Sequence, residues 1–357
     1  MFKILAINPG STSTKVAVYE DEKELFVESI KHTDIELSKF DRVQDQYNFR
    51  KNLVKELLLK NNISLDELSA IVGRGGLLLP VKSGAYKVNE IMVDRLMNKP
   101  VIEHASNLGA LIAYDLSKDL GIEAYIYDSV AVDELEPYAK VTGIPEIKRL
   151  SHGHALNMRA AAINVAGKLN KKYEDLNLIV AHLGGGFTTS LHVGAKMIDI
   201  VGDEEGSFSP ERSGGLQVRE VAGFIMSWTG DKKELKKKLR GNAGLKALLG
   251  TVDLVEVEKM IDSGNEYARL VYESMAYQVA KGIGALAAAA KGKIDRIILT
   301  GGIAYSKRFT DIITDYVEFI APVEIIPGEN EMKSLSQGIL RVLRGQESAR
   351  EYVEENN

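Results

Sequence analysis

Hydrophobic and polar positions divide the 357-residue chain into two runs of similar design. Residues 2–7 are apolar except for Lys3, the pattern of a buried strand. Asn8-Pro9-Gly10-Ser11-Thr12-Ser13-Thr14-Lys15 follows as a turn of small and hydroxyl-bearing residues. Residues 16–19 and 25–30, separated by the polar Asp21-Glu22-Lys23, predict two further strands of an antiparallel meander. Phe49, Leu53 and Leu57 at spacing four predict a helix over 46–61. A short strand at 70–72 ends at Gly73-Arg74-Gly75-Gly76, a helix covers 104–120, and a strand at 123–127 ends at Asp128.

The second half repeats the plan. Residues 178–181 form a buried strand, His182-Leu183-Gly184-Gly185-Gly186-Phe187-Thr188-Thr189 a small-residue turn, and 190–193 and 197–201 two more strands. An offset of 174 positions lays Asn8 on His182 and Gly10 on Gly184, so the halves match in pattern though not in identity, as an internal duplication would. A long helix at 265–291 follows, then a strand at 294–299 ending at Thr300-Gly301-Gly302, a helix at 306–319 and a strand at 323–326 before Pro327-Gly328-Glu329-Asn330-Glu331. Residues 334–344 read as a helix, with a helical or frayed charged tail from Gln346. Strands alternating with helices predict an α/β fold of two similar domains. The expected boundaries are 1–150 and 151–333, with the C-terminal helix 334–357 a candidate to complete the first.

Composition narrows the chemistry. With 45 basic and 50 acidic side chains the net charge is −5, which leaves no basic surplus for a phosphate backbone and disfavours nucleic acid as partner. Cys is absent, which excludes disulfides, Cys-ligated zinc, iron–sulfur clusters and thiol catalysis. No apolar run approaches the ~18 residues of a membrane span, and the first stops at Asn8, too early for a signal peptide. A cytoplasmic location without a membrane partner is the expectation.

The turns are where chemistry concentrates. Consecutive backbone N–H groups in the 8–15 turn can face one anion, with Ser11, Ser13 and Lys15 adding donors and charge; a plain hairpin turn would carry the same residues. Three glycines at 184–186 cost conformational entropy that close approach of a ligand would explain. Gly301-Gly302 lies at a strand's carboxyl end, where open α/β sheets bind ligands, or is a simple crossover. Arg74 lies between Gly73 and Gly75, and Arg212 between Glu211 and Ser213-Gly214-Gly215, where a planar guanidinium fork can clamp carboxylate or phosphoryl oxygens. Asp128 ends an apolar strand and could bind an arginine or cap a turn. His152-Gly153-His154 lacks the companions of a zinc site. Gly282-Ile283-Gly284 falls inside a helix rather than after a strand, against dinucleotide binding. The basic run at 232–240 reads as a solvated helix face.

Taken together, the duplicated β-β-β-α-β-α plan with two Gly/Ser/Thr loops resembles the superfamily of acetate and sugar kinases, heat-shock chaperone ATPases and actin, with its ribonuclease H-like domains and interdomain active-site cleft. Asn8-x-Gly10-Ser11-x-Ser13-x-Lys15 is similar to the N-terminal signature of the acetate kinase family. Gly73-Arg74-Gly75-Gly76, Pro80-Val81-x-Ser83-Gly84-Ala85-Tyr86-x-Val88-Asn89, Ser151-His152-Gly153-His154-Ala155 and His182-Leu183-Gly184-Gly185-Gly186 look like its butyrate kinase branch, in order along essentially the whole chain. Three departures from the acetate kinase pattern favour that branch. They are Gly185 in place of Asn, Ser-Pro-Glu before Arg212, and Ile-Ala-Tyr after Gly302.

The resemblance implies a phosphotransferase that moves the γ-phosphoryl of ATP to a short-chain carboxylate, butyrate or a branched relative, giving an acyl phosphate with Mg²⁺ as cofactor. It implies Arg74, Asp128, His152, His182 and Arg212 as catalytic residues. It further implies Asn8, Ser11, Ser13, Lys15, Gly184, Gly185, Gly186, Gly301 and Gly302 as phosphate- or nucleotide-binding residues. Glu331 would support Mg²⁺, unless the alignment slips to Glu329. Homodimers or higher homo-oligomers, through the C-terminal half, are the family's habit. Acetate or another short-chain acid is the alternative acceptor. An actin-like or chaperone-like ATPase without a carboxylate acceptor, or a sugar kinase using Asp128 as base, is the alternative of another class. A regulator is not expected, because no DNA-binding region precedes the first strand. Leu77-Leu78-Leu79-Pro80-Val81 could favour an aliphatic tail if some of it lines the acceptor pocket, or be only a core strand.

Overall fold

The structure is a computed structural model that describes residues 1–151 and 153–354. The chain clusters into two compact units, Met1–Asp133 together with Asn330–Asn357, and Glu134–Glu329.

In the first unit, β1 (Lys3–Pro9), β2 (Ser13–Glu20), β3 (Lys23–Lys31), β4 (Ala70–Arg74), β5 (Ala85–Lys87) and β6 (Glu123–Tyr127) join a two-residue strand at Arg350–Glu351. The sheet order is Arg350–Glu351, β5, β6, β4, β1, β2, β3. β1, β4 and β6 run parallel, while β2 pairs antiparallel with β1 and β3 antiparallel with β2. Ile4, Leu5, Ala6 and Ile7 are all fully buried, which requires cover on both faces and explains the continuous apolar run. The helix Asn107–Lys118 packs on β4 and the helix Glu331–Leu343 on β1.

That first helix lies unusually close to the sheet. A Cβ at Gly73 would sit 2.2 Å from the Gly109 carbonyl, and one at Gly109 would sit 2.7 Å from the Arg74 oxygen. Gly75 and Gly76 are equally crowded, by Ser129 and Asn107. The glycines around Arg74 therefore serve close packing, and the strand expected over 70–72 runs on through Arg74. The expected helical or frayed tail is also corrected, because Arg350–Glu351 pairs with β5.

The second unit contains β7 (Asn177–Leu183), β8 (Phe187–Val193), β9 (Lys196–Val201), β10 (Arg296–Gly301) and β11 (Val323–Pro327), in the order β11-β10-β7-β8-β9. This is the order β6-β4-β1-β2-β3 of the first unit. The offset of 174 carries β1 onto β7 residue for residue. The core of this unit joins Ile179, Leu183 and Leu299 of the sheet to Val279 and Ile283 of the helix Glu266–Ala289 and to Phe309. Gly282 lies within that helix, as expected.

Residues 134–150, expected with the first domain, cluster with the second unit. Their bonds explain why. The Glu134 carboxylate accepts from the Met197 N–H and the Glu136 N–H donates to the Ile198 carbonyl. Arg149 pairs with Asp199 at 2.7 Å and Glu205 at 2.8 Å. Among the described residues no helix is long and apolar enough to cross a membrane.

Candidate functional site

Parallel register brings several of the expected site residues of the first unit to one edge of its sheet. Ile7 of β1 stands opposite Gly73 of β4, and Arg74 opposite Tyr127 of β6. Asn8, Arg74 and Asp128 thus end three adjacent strands. Glu331, the first residue of its helix, completes the group. Its carboxylate accepts from the Asn8 amide with one oxygen and from the Arg74 guanidinium with the other. The helix N-terminus favours that negative charge. Arg74 and Glu331 keep only 20% and 14% of their side-chain surface, so water screens the pair less than at an open surface.

Asp128 is held in a left-handed conformation, with φ +42°. Its Oδ1 accepts from the Gly84 N–H at 2.7 Å and its own N–H donates to the Gly84 carbonyl at 3.1 Å. Asp tolerates this backbone better than most residues. Its visible work is to cap the turn that precedes β5. Asn8 and Lys15 are register partners across β1 and β2, so their side chains leave the sheet on one face. Ser11 is exposed and Ser13 half-exposed at the tip between them.

In the second unit, Thr300 of β10 stands opposite His182 of β7, and Pro327 of β11 opposite Gly301. The carboxyl ends of three parallel strands thus gather His182, Gly184, Gly185 and Gly186, Gly301 and Gly302, and Glu329 at one edge. Gly301 has φ +94°, and a Cβ there would sit 2.4 Å from the Leu183 carbonyl oxygen; only glycine fits. Gly302 has open space where a Cβ would go. Beside it lies a cavity of about 520 Å³, walled by Asp253, Leu254, Val255, Ile303, Tyr305 and Arg308 among others.

His182 is fully buried, its ring stacked on His154 at 4.2 Å between centroids. Its Nε2 lies 3.1 Å from Glu329 Oε1 but is not aligned for a hydrogen bond, so both ring nitrogens are buried without a hydrogen-bond partner among the described residues. His152 lies outside the described residues. His154, which the sequence did not single out for catalysis, is therefore the visible neighbour of His182, and its Nδ1 meets Thr188 Oγ1 at 3.1 Å.

Arg212 is anchored by two carboxylates. Its Nε lies 3.3 Å from Asp203 and its Nη1 3.8 Å from Glu211. Asp203 also holds Arg240 at 3.3 Å. The three glycines of the 184–186 turn each face an acid, Glu329, Glu211 and Asp203 in turn. Sequence reading missed Asp203 and Glu211, whose only signal was proximity to Arg212. The two candidate metal acids also part company: Glu331 belongs with Arg74 and Asn8, Glu329 with His182. The basic run forms the exposed helix Lys232–Leu239.

A model of the Acetokinase family matches residues 147–326. The chain belongs to that family. Solved structures similar to this acetokinase-family chain include acetate kinase from Porphyromonas gingivalis, at 18% identity and a TM-score of 0.77 over 95% of this chain and 99% of that one. Propionate kinase from Francisella tularensis subsp. tularensis matches at 18% identity and 0.72, over 95% and 99% of the two chains. Acetate kinase from Entamoeba histolytica matches at 17% and 0.72, over 94% and 98%. Identity this low shows a shared fold, the actin-like duplication already evident in the two sheets.

Proposed function

We propose that the protein transfers the γ-phosphoryl of ATP to a short-chain carboxylate, butyrate or a branched relative, forming an acyl phosphate reversibly. Family membership supports the reaction class. The observation that carries the acceptor class is the partner of Arg74. A half-buried guanidinium at a strand end, backed by crowded glycines, is engaged by a carboxylate, that of Glu331. Such a fork suits an incoming carboxylate equally.

A carboxylate oxygen attacks the γ-phosphorus while the bond from that phosphorus to the departing ADP oxygen breaks. The acid is already ionised at neutral pH, so no general base is needed, and Asp128 remains a positioning group. Arg74 aligns the acid, while Arg212 and His182 stabilise charge on the equatorial oxygens. Gly184, Gly185 and Gly186 receive the nucleotide's phosphates, and Gly301 and Gly302 bring the adenosine to the 520 Å³ cavity. That volume suits a nucleoside, and the open space over Gly302 admits close backbone approach. Ser11, Ser13 and Lys15 serve the phosphoryl group.

A magnesium ion would be held mainly by the nucleotide's phosphates and water, with the hard carboxylate oxygens of Glu331, at the start of its helix, as the fitting donors on the chain. Glu331 is the carboxylate to support it through water, and the ion would supply charge neutralisation on the phosphates. Leu77 and Leu79 are half-exposed just beyond Arg74, which supports an aliphatic acid over acetate. Each buried methylene adds about 0.8 kcal/mol.

Trapping the product with hydroxylamine, with acetate, propionate, butyrate, isobutyrate and valerate in turn, tests the reading. Product peaking at four carbons supports it. A peak at acetate replaces the acceptor, and ATP hydrolysis with no trapped product from any acid overturns the reaction.

A further inference from the structure

Beneath the 8–15 loop lies a buried charged residue. Arg50, on the helix Tyr47–Lys60, has no exposed surface. Its Nη1 donates to the carbonyls of Gly10 at 2.8 Å and Ser13 at 2.9 Å and to Thr14 Oγ1 at 3.1 Å. Its Nη2 donates to the Ser11 carbonyl at 3.3 Å and to Gln46 Oε1 at 2.8 Å, and Nε reaches the same Gln46 oxygen at 3.0 Å. All of these acceptors are neutral, and among the described residues no carboxylate pairs with this guanidinium. A buried charge left unpaired is costly, so its retention calls for a reason.

The loop above it supplies one. The Thr12 carbonyl accepts from the His32 N–H at 2.9 Å, and the Ser13 carbonyl also accepts from the Gly10 N–H at 2.7 Å. All four carbonyls from Gly10 to Ser13 are therefore satisfied, three of them by Arg50 and that of Thr12 by the His32 backbone. The N–H groups of Ser11 and Thr12, both exposed residues, have no acceptor among the described residues. His32 is biased toward its neutral form. Its Nε2 meets Thr14 Oγ1 at 2.8 Å, and burial together with the Arg50 charge lowers its pKa, partly offset by Glu36.

We propose that Arg50 is a positioning residue for phosphoryl binding. Its fork gathers the loop carbonyls on one side so that the Ser11 and Thr12 amides face outward as an anion-binding nest. Its charge, left without a carboxylate, is balanced by the phosphoryl group that the nest receives. This rests on reading the loop as a phosphoryl site, and the test separates the two ideas.

The probe is orthophosphate, titrated into the full ¹⁵N-labelled chain while the Ser11 and Thr12 amide resonances are followed. Saturable shifts at both amides are expected in the unaltered protein; no shift there overturns the loop reading itself. Gln46→Glu places a carboxylate against Nε and Nη2 of Arg50 and completes an ion pair. It is expected to fold with a Tm at or above that of the unaltered protein, yet to bind phosphate at least 5-fold more weakly. Its kcat should fall while KM for the acid stays within 2-fold. Arg50→Lys keeps the charge but cannot span the carbonyls, and is expected to weaken phosphate to a similar degree. A purely structural Arg50 would leave phosphate affinity intact in folded Gln46→Glu. Unaltered affinity in either folded variant overturns the proposal, as does failure of Gln46→Glu to fold.

Discussion

The guanidinium of Arg74 is bound to the carboxylate of Glu331, 257 residues further along the chain. The pair joins the end of β4 to the first turn of the last long helix. Both side chains are expected site residues, and each is satisfied by the other. An incoming acid would thus meet a guanidinium already oriented, through Glu331 and the packed backbone behind it.

Arg74→Ala should lower kcat/KM by about 10²–10³-fold, the scale of a removed charge-stabilising donor, while the fold persists. A double-mutant cycle with Glu331→Ala should show a stability coupling of about 1–3 kcal/mol. Steady-state kinetics and urea unfolding of the four proteins check both. Near-normal kcat/KM in Arg74→Ala would remove its assigned role.

Adjacent glycines should behave oppositely. Gly301→Ala forces a side chain onto a backbone at φ +94° and against the Leu183 carbonyl at 2.4 Å, a loss of about 2–4 kcal/mol. Gly302→Ala meets no atom, so its Tm should stay within about 2 °C. Its KM for ATP should nevertheless rise several-fold if the nucleotide comes close to that backbone. Thermal melts beside ATP titrations distinguish the two effects.

Asp203 anchors Arg212 at 3.3 Å without itself being a candidate to touch substrate. Asp203→Asn keeps the shape and weakens the anchor. It should reduce kcat about 10-fold with a smaller change in KM for ATP, measured by initial rates at saturating acid.

Acid should destabilise the protein through His192. The imidazole is fully buried between Tyr173 at 2.6 Å and Ser190 at 2.7 Å. Burial, with a smaller push from Arg159, holds its pKa down to about 3. The unfolded chain takes up a proton there below about pH 6.5, and the folded chain does not. Stability from this group is therefore complete at neutral pH and falls as pH drops from about 6.5 toward 3, by about 1.4 kcal/mol per unit. His192→Gln should be less stable at pH 7 by about 1–3 kcal/mol but lose less between pH 6.5 and 4. Urea midpoints across that range measure the difference.

Much of this was legible in the sequence because it is periodic or local. The offset of 174 could be seen from apolar runs and small-residue turns, and it places β1 on β7 without correction. The end of β6 at Tyr127 follows from where its apolar run stops, whereas β1, β4, β7 and β10 each run two residues past theirs, to Pro9, Arg74, Leu183 and Gly301, because backbone pairing continues after the apolar run ends. What stayed hidden depends on partners distant in sequence. The glycines around Arg74 are explained by Gly109, Asn107 and Ser129, none of which has a local signature. Arg50 shares the buried face of its helix with Val54, Leu57 and Leu58, but what it meets there, the carbonyls of the 8–15 loop, only the fold shows. The Arg350–Glu351 strand is too short and too charged for alternation to reveal.

In the proposed reaction a carboxylate oxygen becomes the bridge to phosphorus. Butyrate carrying ¹⁸O in both carboxyl positions, incubated with ATP, Mg²⁺ and the protein, tests it by ³¹P NMR. One ¹⁸O bound to phosphorus, in butyryl phosphate formed together with ADP, is the predicted result. Phosphorus products without label, as inorganic phosphate from hydrolysis alone, would contradict it.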